Sequence, residues 1–466
     1  MTAFPATSDL TLPWLDEVVD ETRAKLNVPG VSVAVLHDGA VATAVSGVAN
    51  LNTGAAVTDD TRFLIGSISK IITCTLVLQH VERGEVDLDA PVQTYLPEFT
   101  LADTDAAARI TVRHLLTHTS GIEGDYFEQF GRGDEAIEAY VTSLEGVGLI
   151  HDVGEQFSYC NTGWVVAGRI LEILRGARYR EIVATELAAV VDMTSTTTTP
   201  EETILHHPAV GHVAAADGSL RVTSTYELPR SMGPAGTVIC STPRDLLKFA
   251  SVHLNEGIAP DGTKLLPPDL VALMQTPFMA VPTPDRSTFL GHGWVLFERD
   301  GIRFVTHSGG TTGQFSNLVL APGHGFAIAS QTNGPNGRVF NQLVANRVAE
   351  ELVGASPYGG ATAAAGAAPA DLDTYKGVYE RLSVRTEVVR EDGRLWAISR
   401  PTRQATSDDG DQDHQRLVLE AIDETFFAAR ETPDGPLVQT MAFLQPDADG
   451  RPKYVYDGRI ARRVEG

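Results

Sequence analysis

The sequence predicts an α/β (α+β) fold, in which an antiparallel sheet and a helical lobe precede a second, all-β unit. Three observations predict it. Strand-like segments stand near the start (Gly30 to Val48) and again between Gly291 and Ser330, with helical segments between them. The terminal strands are therefore expected to pair in one sheet. The segment after Lys70 is apolar on nearly every face until Glu82-Arg83-Gly84, the mark of a buried helix. Beyond a Gly/Ala/Pro-rich stretch at 354–370, short alternating segments are separated by Asp-Gly turns, which indicates an antiparallel sandwich or barrel. The expected division is 1–353, a linker at 354–370, and 371–466.

The elements follow in order. Leu12 to Leu26 has amphipathic helical spacing. Gly30 to Leu36 and Val41 to Val48 read as strands joined by a turn at His37-Asp38-Gly39-Ala40. The central helix starts with Ser67 in its first turn, and Gly84 supplies a left-handed cap. Thr111 to Ile122 reads as a short helix ending at Gly121, and another begins near Asn161. Thr242, Pro243 and Asp245 read as a cap, a first helical residue and the completion of a capping box. Gly291 to Phe297, Arg303 to His307, Phe315 to Leu320 and Gly325 to Ser330 read as strands, closed by a helix from Val339 to Leu352.

Composition excludes several classes of function. The 466 residues are 43% hydrophobic and 21% charged, ordinary for a globular chain with a real core. A formal net charge of −24 argues against nucleic acid or anionic membrane as partner. The first ten residues carry no basic segment followed by an apolar core, so no secretory signal is read, and no run approaches a membrane span. Three cysteines, Cys74, Cys160 and Cys240, do not suggest a disulfide framework. A cytoplasmic location is the simplest expectation.

Three motifs carry chemistry. Ser67 and Lys70 stand three apart on one helix face, so hydroxyl and amine can meet. Burial lowers an amine's pKa and makes Lys70 a proton acceptor for Ser67, with free helix N–H groups beside the reacting oxygen. Tyr159-Cys160-Asn161 places a phenol and a carboxamide two apart in a loop, suited to relaying a proton and binding a carbonyl. His307-Ser308-Gly309-Gly310 lies on a strand leading into a glycine-rich turn whose N–H groups can face a substrate. Each has a structural alternative: Ser67 as a cap, Lys70 as a buried partner, Tyr159 as a core aromatic, Asn161 as a cap, His307 as a strand histidine. His114 and His118 read as packing residues, Cys160 as a small buried filler, and no metal-ligand spacing is seen.

In this order the motifs resemble the serine β-lactamase and penicillin-binding-protein superfamily, in its class C-like (S12-type) branch. Leu115 to Gly121, Gly233-Pro234-Ala235-Gly236 and Gly293-Trp294 resemble scaffold motifs of that branch, over roughly Leu12 to Leu352. The resemblance implies a β-lactamase/transpeptidase-like domain followed by a lipocalin-like barrel that covers the cleft. It implies Ser67 as nucleophile, Lys70 as base, Tyr159 as relay and Asn161 as carbonyl ligand. The oxyanion hole would be the N–H groups of Ser67 and Gly310, with His307 and Gly309 beside the substrate. His307 stands where β-lactamases have lysine, which points to esterases, D-amino-acid peptidases, amidases and peptide cyclases rather than to a β-lactamase. The implied activity is acyl hydrolysis or transfer on amide, peptide or ester carbonyls. The alternative is a stand-alone thioesterase cyclising nonribosomal peptides. A catalytically inactive binding protein is the contrasting class. The substrate is expected to be a small molecule or peptide, with a carrier-bound peptidyl thioester as one form. No cofactor or metal is implied.

Overall fold

The computed structural model describes residues 8–215, 217–226, 228–359, 369–402 and 414–464. Most of the expected linker, 360–368, lies outside the described residues. Among the described residues a ten-stranded sheet runs through the first part of the chain. Its centre is built from β1 (Gly30–His37), β2 (Ala40–Asn50), β3 (Val295–Arg299), β4 (Ile302–Thr311), β5 (Gln314–Ala321) and β6 (Phe326–Thr332), in the order β2-β1-β6-β5-β4-β3.

The N- and C-terminal strands pair as the sequence predicts, antiparallel, with Ala34 opposite Ala329 and Val35 opposite Ile328. Successive side chains alternate between faces. Val33, Val35 and Ile328 therefore pack with helices α1 (Leu15–Lys25) and α5 (Gly337–Val353). Ala34, Leu36, Ala327 and Ala329 face the helical lobe. Both faces are covered, which is why these strands read as nearly unbroken apolar runs.

Helix α2 (Ser69–Glu82) is buried from Ser69 to His80, as expected of a segment apolar all round. Gly84 ends it at φ 71°. One detail differs. Ser67 lies in a 3-10 turn, Gly66–Ile68, that precedes α2 rather than in its first turn. Helix α3 (Asn161–Arg175) starts where expected and is capped by the Cys160 sulfur, which accepts the Gly163 N–H at 3.3 Å. The stretch read as a helix from Thr111 to Ile122 is helical only over Val112–Leu116. The chain then turns through His118, at φ 53°, to Gly121. Thr242 caps α4 (Pro243–Leu254), but the Asp245 carboxylate does not close a capping box. It instead accepts the Ser195 N–H at 2.7 Å and the Thr196 hydroxyl at 3.0 Å.

The last part of the chain is a closed eight-stranded antiparallel barrel, running from Gly377–Arg381 to Ile460–Val464. Its interior holds its own aromatic core of Tyr379, Phe427 and Phe443. The barrel is also seated on the first part. Phe426, Tyr454, Tyr456 and Ile460 share an apolar cluster with Ile150, Phe157 and Leu290. Arg286 pairs with Asp423 across the junction at 2.7 Å. Among the described residues no helix is long and apolar enough to cross a membrane.

Deleting residues 371–466 would strip cover from Ile150, Phe157 and Leu290, each worth about 1.5–3 kcal/mol when fully buried. The shortened chain is expected to keep a cooperative thermal melt, at a lower temperature, and to bind an apolar dye. A melt and dye response matching those of the full chain would show that the shared cluster stabilises nothing.

Candidate active site

The Ser67–Lys70 pair forms as the spacing predicts, with Lys70 Nζ donating to Ser67 Oγ at 3.1 Å. Lys70 is fully buried, and its second acceptor is the Ala235 carbonyl at 2.5 Å. That carbonyl belongs to the Gly233–Gly236 turn, so a motif read as scaffold holds the base in place. Burial, and then the charge of Arg459, push the Lys70 pKa well below the ordinary lysine value.

Backbones meet closely here. A side chain on Gly309 would put its Cβ 1.9 Å from the Ile65 carbonyl oxygen. Gly236, at φ 128°, would place one 2.4 Å from the Gly66 carbonyl oxygen. Glycine alone fits either position. Strand β4 thereby lies directly against the turn that carries Ser67. On its β3 side, pairing of β4 ends at Thr306, opposite Val295. Residues 307–311 keep only their β5 partners, so their other edge is open towards the cleft. The Gly310 N–H is positioned beside Gly66, next to Ser67.

Tyr159 stands over this pair, with Lys70 Nζ 4.9 Å from its ring centroid. Burial raises the phenol's pKa to about 12, while a hydrogen bond from Ser67 and the charge of Arg459 pull it back. Asn161 is nearly buried and is the first residue of α3, so the reading of Asn161 as the cap falls to Cys160. His307 is buried, with its ring 6.5 Å from that of Tyr159 and its Nδ1–H donating to the Ser308 carbonyl at 2.7 Å. Burial and the nearby Lys70 lower its pKa to about 3, so it is neutral. Ser67, Lys70, Tyr159, His307, Gly309 and Gly310 are thus brought to one place, and Asn161 stands two residues on from Tyr159 at the start of α3.

Two cations at this place were not found in the sequence. Arg459 comes from the barrel, from the turn between its last two strands, and lies 5.2 Å from the Tyr159 ring centroid. Its Nε is fixed by Asp125 at 2.6 Å. Arg381 of the barrel joins the same carboxylate at 3.7 Å. Asp457-Gly458 is one of the Asp-Gly turns of the β unit, and nothing local marks the next residue as part of a site. Arg338, near the start of α5, brings its guanidinium within 3.8 Å of the Gly310 Cβ position. Both arginines act electrostatically on Tyr159.

A beta-lactamase family profile matches residues 15–352, the span that contains the whole serine–lysine–tyrosine arrangement. The chain belongs to the beta-lactamase family. It is 36% identical over 370 residues to penicillin-binding protein 4 of Amycolatopsis lactamdurans, covering 78% of this chain and 96% of that one. The SurE crystal structure superposes with a TM-score of 0.75 at 24% identity, over 97% of this chain and 98% of that one. A D-amino acid amidase from Ochrobactrum anthropi SV3, complexed with L-phenylalanine amide, gives 0.58 at 26% identity, over 69% and 90%. Penicillin-binding proteins and a D-amino acid amidase thus stand among the relatives of this beta-lactamase-family serine hydrolase.

Within this beta-lactamase-family site the depressed Lys70 pKa has a consequence for stability. An unfolded lysine holds its proton up to about pH 10.4. Between the folded and unfolded values the unfolded chain carries the extra proton, so this residue's contribution to stability rises with pH. Lys70→Met removes the effect. The melting temperature of the variant minus that of the wild type is expected to shrink as pH rises from about 6 to about 9. A difference that stays constant would show that Lys70 is charged in the folded protein.

Proposed function

We propose that the chain is a serine acyl hydrolase or acyltransferase acting on amide, peptide or ester carbonyls through an acyl-Ser67 intermediate. The observation that carries the reading is the 3.1 Å contact between Ser67 Oγ and a fully buried Lys70 amine, whose pKa burial pushes well below the ordinary lysine value. Lys70 takes the Ser67 proton as Oγ attacks the carbonyl carbon. The N–H groups of Ser67 and Gly310 stabilise the oxyanion, and the Asn161 amide orients the rest of the acyl group. Tyr159 relays the proton from Lys70 to the leaving nitrogen or oxygen, and the carbon–heteroatom bond breaks. Water or an amine then releases the acyl group by the same steps in reverse.

His307 is neutral, so the positive charge offered to a substrate comes from Arg338 and Arg459. This favours a substrate with a carboxylate beyond the scissile bond, such as a peptide C-terminus. A second reading, cyclisation of a carrier-bound peptidyl thioester, is favoured by the barrel's closeness to Tyr159. Cover over the acyl-enzyme excludes water and favours an amine nucleophile.

A serine-directed fluorophosphonate is expected to add one adduct, on the peptide carrying Ser67, and none in Ser67→Ala. An adduct elsewhere would remove the assignment. Arg459→Ala is expected to raise KM about tenfold or more for a peptide with a free C-terminus, and far less for its amidated form. Equal effects on both would mean that Arg459 does not meet the carboxylate.

A further inference from the structure

The loop that carries Tyr159 is wrapped around one residue, His118. The His118 carbonyl accepts the Ser158 N–H at 3.0 Å. Its Nδ1 accepts the Cys160 N–H at 2.8 Å. Its ring stacks on the Tyr159 ring, with centroids 4.4 Å apart and planes 23° apart, and meets Phe157 edge-on at 5.8 Å. The indole N–H of Trp164 donates to Nε2 at 3.2 Å. Phe157, Ser158, Tyr159 and Cys160 are all fixed by this single side chain and its carbonyl. His118 itself is buried and held at φ 53°, a left-handed conformation uncommon outside glycine.

We propose that His118 is a positioning residue for acyl transfer, a template that sets the plane and reach of the Tyr159 phenol over Ser67 and Lys70. The proposal rests on the reading of Tyr159 as the proton relay to the leaving group.

The surroundings also hold His118 without charge. Both ring nitrogens face donors, the Cys160 N–H at Nδ1 and the Trp164 indole N–H at Nε2. An imidazolium would set an N–H against both of them. Burial disfavours the imidazolium first, and Lys70, His307 and Arg459 add to it. The nearby Cys160 thiol is itself held protonated by burial, so it supplies no compensating anion. An imidazolium stacked on Tyr159 would repel a proton arriving at Lys70. The neutral ring supports the phenol without entering the proton traffic.

Two substitutions separate the contributions. Asn tolerates the left-handed backbone, and in His118→Asn its carbonyl can still accept from Cys160, but the stacked ring is gone. His118→Phe keeps a stacked ring and loses the acceptor. The full chain would be assayed with a p-nitroanilide, whose leaving nitrogen needs a proton, and with the matching p-nitrophenyl ester, whose phenolate does not. His118→Asn is expected to lower kcat on the anilide by roughly 10²-fold, the effect of misplacing a reacting group by about 1 Å. The rate of acylation by the ester, read from its p-nitrophenolate burst, and fluorophosphonate labelling of Ser67 should change by less than about threefold, because displacing a weakly basic leaving group needs no proton from Tyr159. His118→Phe should retain more anilide turnover than His118→Asn. Equal loss on anilide and ester, or no loss on either, would overturn the proposal.

The wild type supplies a measurement that needs no variant to fold. Ring nitrogen shifts of ¹⁵N-histidine-labelled protein should show His118 neutral from about pH 8 down to about pH 5. Titration of that ring inside the range would equally overturn the proposal. Absence of Ser67 labelling in the wild type would instead defeat the functional reading itself.

Discussion

A lysine amine sealed inside the protein is the constraint on which the rest of this structure depends. Lys70 has no exposed surface, and an ammonium there would have to be removed from water without a counter-ion. Burial therefore pushes the amine towards its uncharged form, and it has two partners, the Ser67 hydroxyl and the Ala235 carbonyl. Bringing that carbonyl within reach requires the Gly233–Gly236 turn to lie against the Ser67 turn, and Gly236 makes the approach sterically possible. Helix α2 must also be apolar on every side, because it passes through the core under the sheet.

The same constraint orders the neighbouring groups. His307 and His118 are both buried close to Lys70 and both are held neutral, so neither competes with it for a proton. The fixed charges are set at the rim. Arg459 is tied to Asp125, which also receives the Ser383 hydroxyl at 2.9 Å. Burial does most to lower the Lys70 pKa and Arg459 adds to it, while at Tyr159 the same arginine offsets part of the rise that burial causes. A rim arginine thus acts on the reacting groups through space without being buried among them.

The barrel is held by more than one kind of force. An apolar cluster seats it beside Phe157, and Ile460 N–H donates to Ser158 Oγ at 3.2 Å, one residue from Tyr159. Leu382 N–H donates to the Glu123 carboxylate at 3.2 Å, where burial and Asp125 raise that carboxyl to about 7. These contacts flank the Phe157–Cys160 loop from outside while His118 supports it from within. The loop bearing Tyr159 is consequently fixed by both parts of the chain.

What the sequence determined by itself was local or repetitive. The 3-residue spacing of Ser67 and Lys70, the apolar run after them and the short apolar runs of β1 and β6 are each legible from helix and strand geometry. The Asp-Gly turns after Ala370 likewise announced a β unit, and the order of motifs announced the family. What tertiary structure alone decided was how distant surfaces meet. Arg459 and Tyr159 come together because a shared apolar cluster and the Arg459–Asp125 pair seat a barrel turn on the first part of the chain, and neither carries a periodic signal. Asp245 shows the same limit on a smaller scale. Its place after Thr242 suggested a local cap, but Ser195 and Thr196, brought beside it by the fold, offered donors that the helix end did not. His118 is the clearest case. A histidine in a packing motif gains its role only when the fold wraps the Tyr159 loop around its ring, because a side chain's function depends on the groups that surround it in space.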